Sequence, residues 1–311
     1  MAAAQQQPDL HGIVATVVTP FDAAGEIIED ALREEVRYLL GAGVTGICAC
    51  GTTGEGETLS AEESARICDI VVQEVAGRTP VVAGIIQNST AQVIRYGHAL
   101  KAVGVDALQV TPVHYLWAPS ADGTVEYYRR IGEAVDLPLV IYNVVPWALI
   151  GADTAERLAD LPHVVAIKQS GGDMHLLADL VHRLRDRITI LAAVDDLHLP
   201  AFLLGAQGAL AAIPTITPHL SVELWEAFQR GDLDRARALH EQILPVWRSV
   251  EGPNQPALIK EALRLQGRTP GIPRHPVTPV GAAESRRIAA ALGKAGLLKE
   301  QPLSAEPATT A

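Results

Sequence analysis

Short apolar runs alternate with longer amphipathic stretches along most of the chain. The runs are rich in Val, Ile and Ala, which is typical of buried strands, and the stretches between them carry apolar residues at helical spacing. Strands are predicted at residues 12–19, 46–50, 80–85, 107–111, 139–143, 164–168, 188–194 and 209–213. Helices are predicted at residues 30–40, 61–76, 91–103, 124–135, 154–160, 174–184, 197–204 and 220–230.

This alternation predicts an α/β fold of parallel strands covered by helices. A (β/α)8 TIM barrel closes eight such units, and a doubly wound open sheet is the alternative. We expect the barrel to span residues 12–230. Three further helices, near residues 233–250, 256–266 and 282–298, predict a C-terminal helical appendage of the same domain over residues 231–299. Residues 1–11 and 300–311 are expected to be flexible tails.

The composition narrows the classes of partner. The 311 residues are 48% hydrophobic, which is enough for one large core. A formal net charge of −11 without a basic run argues against nucleic acid and anionic membrane as partners. No apolar run approaches the roughly 20 residues that cross a bilayer. Three cysteines cannot build a disulfide framework in a chain of this size, so a cytoplasmic location is expected.

A single lysine, Lys168, ends the apolar run of the sixth predicted strand. A buried ammonium loses its hydration, and the cost is relieved when the amine becomes neutral. A neutral amine is what Schiff-base chemistry with a carbonyl substrate requires. The alternative is a lysine whose amine reaches water or pairs with an acid.

Other chemically suited residues follow the predicted strands in chain order. Because the sites of barrel enzymes lie at the C-terminal ends of the strands, these residues are expected to converge. Gly51-Thr52-Thr53-Gly54-Glu55 follows the second strand and offers amides and hydroxyls for a carboxylate. Tyr142-Asn143 ends the fifth strand. Asp195-Asp196 follows the seventh and is interpreted as a helix N-cap more readily than as a catalytic pair.

Together these pieces resemble the dihydrodipicolinate synthase / N-acetylneuraminate lyase family of Schiff-base aldolases over residues 12–279. The resemblance implies that Lys168 forms an imine with pyruvate or another 2-oxo acid, and that Thr52 and Thr53 hold its carboxylate. It implies that Tyr142 exchanges protons with Thr52 in a relay. No metal or organic cofactor is implied. A homotetramer, a dimer of dimers, is implied, in which a second tyrosine enters the neighbouring site.

The chain departs from the family pattern in three places. The loop after the fourth strand is longer than usual, so we expect Tyr115 to take the place of the family's second tyrosine, with His114 as the alternative. No arginine follows Tyr142-Asn143 until Arg157, although synthases that use aspartate semialdehyde carry one there to bind its carboxylate. Val194 stands where the family usually has glycine. The predicted substrate-binding residues are Thr53, Gly51, Leu210, Val194, Trp147 and His114.

These departures favour an apolar or aromatic aldehyde as the partner of the 2-oxo acid. Trp117, Trp147, Leu149 and Val194 are expected to make that side of the site apolar, although the tryptophans could equally pack loops. 4-Hydroxy-tetrahydrodipicolinate synthase is the next hypothesis, and a 2-keto-3-deoxy sugar acid aldolase or dehydratase the third. A catalytically silent binding protein and a metal-dependent barrel enzyme are the alternatives from other classes.

Overall fold

Eight parallel strands close into a barrel in the computed structural model, which describes residues 7–171 and 173–298. The strands, β1 to β8, are Gly12–Thr16, Gly46–Ala49, Val81–Ile85, Ala107–Val110, Leu139–Asn143, Val164–Gln169, Thr189–Ala192 and Gly208–Ala211. Neighbours in sequence are neighbours in the barrel, and β1 pairs with β8 through Val14 and Leu210. The predicted α/β fold and TIM barrel are therefore confirmed.

Helices alternate with the strands and then continue beyond the barrel. In the described residues they are α1 to α12, at Glu29–Gly41, Ala61–Val75, Thr90–Ala102, Ala121–Val135, Ala152–Leu158, Met174–Leu184, His198–Leu204, Ile213–Ile216, Pro218–Gln229, Leu233–Val250, Gln255–Leu265 and Ala282–Lys294. The last three form the C-terminal appendage. Helix α10 packs along α9, and α12 packs on α10 and α11. None of the helices described here is both long and apolar enough to cross a membrane.

The apolar residues of the barrel form two layers. Side chains that point outward from the strands pack against the helices in a large continuous core. Side chains that point inward fill the barrel axis and form a second cluster, made of Leu10, Val14, Cys48, Val82, Ala107, Val140, Val165, Ala166, Leu191 and Leu210. Because both faces of the sheet are buried, the strands are apolar throughout rather than alternating, as the sequence pattern indicated.

The ends of β1 and β8 differ from the prediction. The predicted first strand reached residue 19, but β1 ends at Thr16, and the eighth was predicted to reach residue 213, but β8 ends at Ala211. The chain turns at Ala212 into α8, and α9 begins at Pro218. Proline at the first turn of a helix loses no intrahelical hydrogen bond, so Pro214 and Pro218 are compatible with helix starts.

The predicted N-terminal tail is too long. Leu10 lies within residues 1–11, yet its side chain is only 1% exposed because it packs into the inner cluster of the barrel. The packed part of the chain therefore begins before residue 12. Residues 1–6, and 299–311 with the predicted C-terminal tail, lie outside the described residues.

His198 is a buried imidazole at the start of α7. Its ring stacks on Phe202 with 6.0 Å between ring centroids, and its Nε2 has no hydrogen-bond partner among the described residues. Burial, helped by the nearby His240, lowers the pKa of His198 to about 3. The folded protein therefore keeps His198 neutral at pH values where an unfolded chain would protonate it.

This difference predicts an acid-dependent loss of stability. Below pH 6.5, the ordinary pKa of histidine, His198 becomes protonated in the unfolded chain, whereas in the folded chain it stays neutral down to about pH 3. Stability is thus lost as the pH falls through this window, by at most about 1.4 kcal/mol per pH unit. We expect His198→Phe to flatten the decline in urea midpoint between pH 6.5 and 4.5. The exposed His182→Phe is the control, and equal slopes for wild type and His198→Phe would contradict the expectation.

Candidate active site

A cavity of about 340 Å³ opens where β5, β6, β7 and β8 end. Its floor carries Lys168 and Tyr142, one side is formed by the loop after β2, and the other by the end of α10 and the start of α11. The lining residues are Thr52, Thr53, Tyr142, Val144, Lys168, Ser170, Ala193, Val194, Asp195, Asp196, Ala211, Ala212, Trp247, Glu251 and Gln255. The cavity is large enough for a small substrate.

Lys168 and Tyr142 are held together by strand pairing. They are directly opposite each other in the register between β5 and β6. Each is about 5% exposed, and Lys168 Nζ lies 4.0 Å from the centroid of the Tyr142 ring. Because both backbones belong to the barrel wall, the distance between the amine and the phenol is set by the sheet and not by a loop.

Thr52 extends this pair into a short chain of polar groups. Its hydroxyl lies 3.1 Å from the Tyr142 hydroxyl, within hydrogen-bond distance. Thr52 begins a helical turn, Thr52–Gly54, and the neighbouring Thr53 is buried. The first N–H groups of such a turn have no partner within it, so they are available to an anion in the cavity.

The loop that carries the two threonines is anchored by a buried ion pair. Lys260 of α11 donates to Glu55 Oε1 at 2.5 Å, and the two side chains are 2% and 0% exposed. Lys260 also donates to the carbonyl oxygens of Thr19 and Ile272, both at 2.7 Å. Glu55 Oε2 accepts from the backbone N–H of Arg274 at 2.7 Å. Burial lowers the pKa of Lys260, although Glu55 opposes this shift.

Close backbone contacts shape the same loop. A side chain at Gly56 would place its Cβ 1.9 Å from the Cys50 carbonyl oxygen, and one at Gly84 would place it 2.4 Å from the same atom. Both positions therefore require glycine. Cys50 itself has a φ of 56°, in the left-handed region, which turns the chain out of β2 toward the threonines.

The segment after β5 is fixed at both ends by Asn143. Its side-chain amide donates to the Ile150 carbonyl at 3.0 Å and to Gln169 Oε1 at 2.8 Å, and its Oδ1 accepts from the Ile150 N–H at 2.8 Å. Residues 144–149 thus form a loop whose two ends are held together by the hydrogen bonds between Asn143 and Ile150. Only Val144 among them lines the cavity.

Asp195 has a different role from the predicted cap of its own helix. Its Oδ1 accepts from the N–H of Ile213 at 2.6 Å, at the start of α8 rather than of α7. Burial raises the pKa of Asp195 to about 7, against the opposing effects of the Ile213 N–H and of Lys168. Asp195 therefore joins the ends of β7 and β8 and presents a carboxyl group that titrates near neutrality to the cavity.

The structure brings together five of the residues predicted for the site. Thr52, Thr53, Tyr142, Lys168 and Val194 all line the cavity. Gly51 does not line it and instead accepts backbone hydrogen bonds from Gly54 and Gly56, both at 3.0 Å.

Leu210 is a correction. It is fully buried in the inner cluster of the barrel. Ala211 and Ala212, which follow it directly, line the cavity. The alternation of a strand turns its side chain into the barrel core, below the level of the cavity.

The predicted aromatic residues lie outside the cavity. Tyr115 and Trp147 are 69% and 64% exposed, and Trp117 is 71% exposed. Trp147 Nε1 donates to the His114 carbonyl at 2.8 Å, and the His114 N–H is bound by Asn88. The apolar wall expected from these tryptophans is absent from the cavity within the described part of this chain, where the apolar lining residues are Val144, Ala193, Val194, Ala211, Ala212 and Trp247.

Several lining residues were not singled out from the sequence. Trp247, Glu251 and Gln255 come from the appendage, and no local pattern ties them to the barrel. The helix break at Gly252-Pro253 was the one available hint, because it forces a turn between two helical stretches. Among the described residues, no group of three or more metal-binding side chains was found.

The arrangement suits carbonyl chemistry. A buried amine on the floor provides a nucleophile, and the adjacent phenol can give and take a proton. The turn at Thr52 and Thr53 offers N–H and hydroxyl donors for a carboxylate. A 2-oxo acid carries the ketone and the carboxylate that these groups require.

Comparisons with known proteins agree with this chemistry. The sequence model of the dihydrodipicolinate synthetase family matches residues 9–295. A 4-hydroxy-tetrahydrodipicolinate synthase from Methanopyrus kandleri is 35% identical over 295 residues, covering 94% of this chain and 98% of the relative. The solved dihydrodipicolinate synthase from Aquifex aeolicus superimposes with a TM-score of 0.88 at 30% identity, covering 94% and 100% of the two chains.

A second solved family member has a closely similar fold. This prophage protein of the dihydrodipicolinic acid synthase family from E. coli, solved in complex with pyruvate, has a TM-score of 0.88 and 26% identity. The alignment covers 93% of this chain and 99% of that one.

The buried ion pair generates a prediction about stability. Lys260→Met leaves the Glu55 carboxylate buried without its partner, so we expect a loss of about 3–5 kcal/mol in the free energy of unfolding. Glu55→Gln/Lys260→Met should lose less than Lys260→Met alone, because no unpaired charge remains. Urea denaturation measures both. Arg66→Met, which removes an exposed pair with Glu29, is the control. A loss below about 1 kcal/mol for Lys260→Met would refute the anchoring role.

Proposed function

Because the chain belongs to the dihydrodipicolinate synthetase family, we propose that Lys168 forms its Schiff base with pyruvate or a related 2-oxo acid. Enzymes of this family are pyruvate-dependent lyases that use a covalent Schiff base with an active-site lysine and need no external cofactor. The observation that carries the proposal is the buried Lys168 amine, 4.0 Å from the Tyr142 ring on the floor of the cavity.

The first half of the reaction forms the iminium. The Lys168 amine adds to the ketone carbon, and the carbinolamine that results loses its hydroxyl as water. Tyr142 supplies the proton for that departure, and Thr52, 3.1 Å from its hydroxyl, relays protons to it. Thr52 and Thr53 hold the carboxylate of the 2-oxo acid, which orients the ketone toward the amine.

The second half uses the iminium as an electron sink. Tyr142, deprotonated in the first half, takes a proton from the neighbouring carbon and so gives an enamine. The enamine attacks the aldehyde carbonyl and forms the new carbon–carbon bond, and Tyr142 returns the proton to the aldehyde oxygen. Water then hydrolyses the product imine and regenerates Lys168. Cleavage runs through the same steps in reverse, so the site serves either direction.

The aldehyde partner is not held by the arginine that aspartate semialdehyde synthases use. Arg157, the first arginine after Asn143, donates to Asp122 at 2.7 Å on the outer helices and does not line the cavity. An apolar or aromatic aldehyde fits the Val144 and Val194 part of the lining. Ser170 and Gln255 also offer hydrogen bonds, which favours a 2-keto-3-deoxy sugar acid as a further candidate substrate.

4-Hydroxy-tetrahydrodipicolinate synthase is the second candidate function. Its support is the printed name of the relatives, such as the Methanopyrus kandleri enzyme at 35% identity. The lack of an arginine after Asn143 weighs against it, since a bidentate carboxylate contact is poorly replaced by Trp147 or Leu149.

We also propose a homotetramer, a dimer of dimers, in solution. Tyr115, Leu116, Trp117 and Trp147 form an apolar surface on one edge of the barrel mouth, and each is more than 60% exposed in the single chain. Apolar surfaces of this kind commonly mark an interface. Tyr115 is the residue expected to reach the neighbouring site, with His114 as the alternative.

Borohydride trapping tests the proposal. With pyruvate, the wild-type protein should gain a stable adduct on Lys168, seen by intact mass and peptide mapping, and Lys168→Ala should gain none. Lys294→Ala, which removes an exposed lysine at the end of α12, is the control and should trap like wild type. An adduct of equal yield in Lys168→Ala would refute the proposal, and longer 2-oxo acids extend the test if pyruvate gives no adduct.

Tyr142→Phe separates acid–base help from binding. The ring and its contact with Lys168 remain, but the proton donor is lost, so turnover should fall by roughly 10²–10⁴-fold. The adduct should still form, only more slowly, in a time-resolved trapping experiment. Tyr127→Phe, which removes a buried hydroxyl 3.2 Å from the Thr111 carbonyl, is the matched control. Unchanged turnover in Tyr142→Phe would exclude the assigned role.

A further inference from the structure

Three charged side chains form a network at the outer wall of the cavity. Arg248 Nη2 donates to Asp196 Oδ2 at 2.5 Å, and Arg248 Nη1 lies 2.8 Å and 3.0 Å from the two carboxylate oxygens of Glu251. Asp196 and Glu251 both line the cavity. Since Arg248 bonds to both, its guanidinium lies beside the cavity mouth.

The network joins the barrel to the appendage. Asp196 follows β7, whereas Arg248 lies in the last turn of α10 and Glu251 follows that helix. The Asp196 side chain is 16% exposed, and those of Glu251 and Arg248 are 40% and 52% exposed. The inner partner is thus largely shielded from water, while the outer two border the solvent.

The charge of this wall is negative on balance. Two carboxylates, those of Asp196 and Glu251, share one guanidinium, so one negative charge is left uncompensated. Among the described lining residues, Lys168 is the one cationic side chain, and the imine uses its amine. A carboxylate on the far end of an aldehyde would therefore meet excess negative charge, and Arg248 would be occupied.

We propose that the Asp196–Arg248–Glu251 network selects acceptor aldehydes that carry no negative charge at the end remote from the carbonyl. The inference rests on the proposed Schiff-base function and names the class of its second substrate. Asp196 and Glu251 disfavour a carboxylate directly, and they also retain the cation that could have bound one. Like-charge contacts of this kind are an effective means of rejecting a wrong ligand.

Arg248 is the residue that makes the proposal testable. Its Nη1 now donates to both carboxylate oxygens of Glu251 and its Nη2 donates to Asp196. Once both are released, the two nitrogens can bind a substrate carboxylate in a bidentate manner. Neutralising both carboxylates removes the repulsion and releases the guanidinium at once. The resulting gain for a charged acceptor should then depend on Arg248.

The experiment compares succinic semialdehyde with its methyl ester, which differ at the far end in charge. Pyruvate-dependent turnover should give a kcat/KM for the ester at least about tenfold above that for the acid in wild type. Asp196→Asn/Glu251→Gln should lower this ratio by at least about tenfold, mainly by raising kcat/KM for the acid. Adding Arg248→Met to that variant should abolish the gain.

Controls separate the network from general charge effects. Glu223→Gln removes one carboxylate from an exposed pair with Arg235 on the outer helices and should leave the ratio unchanged. Salt should weaken the preference in wild type, because the outer network is exposed. A wild-type preference for the acid, or a ratio unchanged by Asp196→Asn/Glu251→Gln, would overturn the proposal.

Borohydride trapping distinguishes a failure of the acceptor proposal from a failure of the proposed Schiff-base function. Every variant is therefore also treated with pyruvate and borohydride. An adduct on Lys168 in wild type together with a preference for the acid refutes the acceptor proposal alone. A complete lack of adduct and of turnover with both aldehydes refutes the Schiff-base function, and the acceptor proposal with it.

Discussion

The buried contact between Glu55 and Lys260 is the constraint on which the site depends. It ties the loop that carries Thr52 and Thr53 to the appendage helix α11, with both charges removed from water. Such a pair is tolerated only when its remaining hydrogen-bonding capacity is satisfied, and here backbone groups of Thr19, Ile272 and Arg274 complete it. The turn proposed to bind the carboxylate is therefore positioned by a residue about 200 positions away in the chain.

The appendage consequently belongs to the active site rather than being added to a finished barrel. The barrel supplies the amine and the phenol through the register of β5 and β6. The appendage supplies the anchor for the threonine loop and the far wall of the cavity, with Trp247, Glu251 and Gln255. The residues proposed for the Schiff-base chemistry are thus positioned by strand pairing, whereas those proposed to meet the second substrate depend on helix packing.

The sequence revealed what is encoded locally. Apolar periodicity predicted the eight strands, with Lys168 and Tyr142 at the ends of two of them and Thr52 and Thr53 in the loop after β2. The family resemblance then gave these residues their expected roles. The sequence could not reveal contacts across long loops, such as Glu55 with Lys260. It also placed Leu210 in the site, although strand alternation turns this side chain into the barrel core. It missed α8, whose four residues are too few to show a helical period. Trp147 was expected in the site, but an exposed loop position is not readable from residue type.

Asn143 closes the base of the segment that follows β5, by bonding Ile150 through both of its amide atoms. A change in the conformation of residues 144–149 is therefore not transmitted to the barrel wall. Insertions or substitutions at residues 144–149 can therefore accumulate without moving Tyr142, which directly precedes Asn143. The fold thus separates the strand residues, which must be conserved for the chemistry, from the loop at residues 144–149, which is free to diverge. New substrate specificities can therefore evolve at little risk to the underlying chemistry.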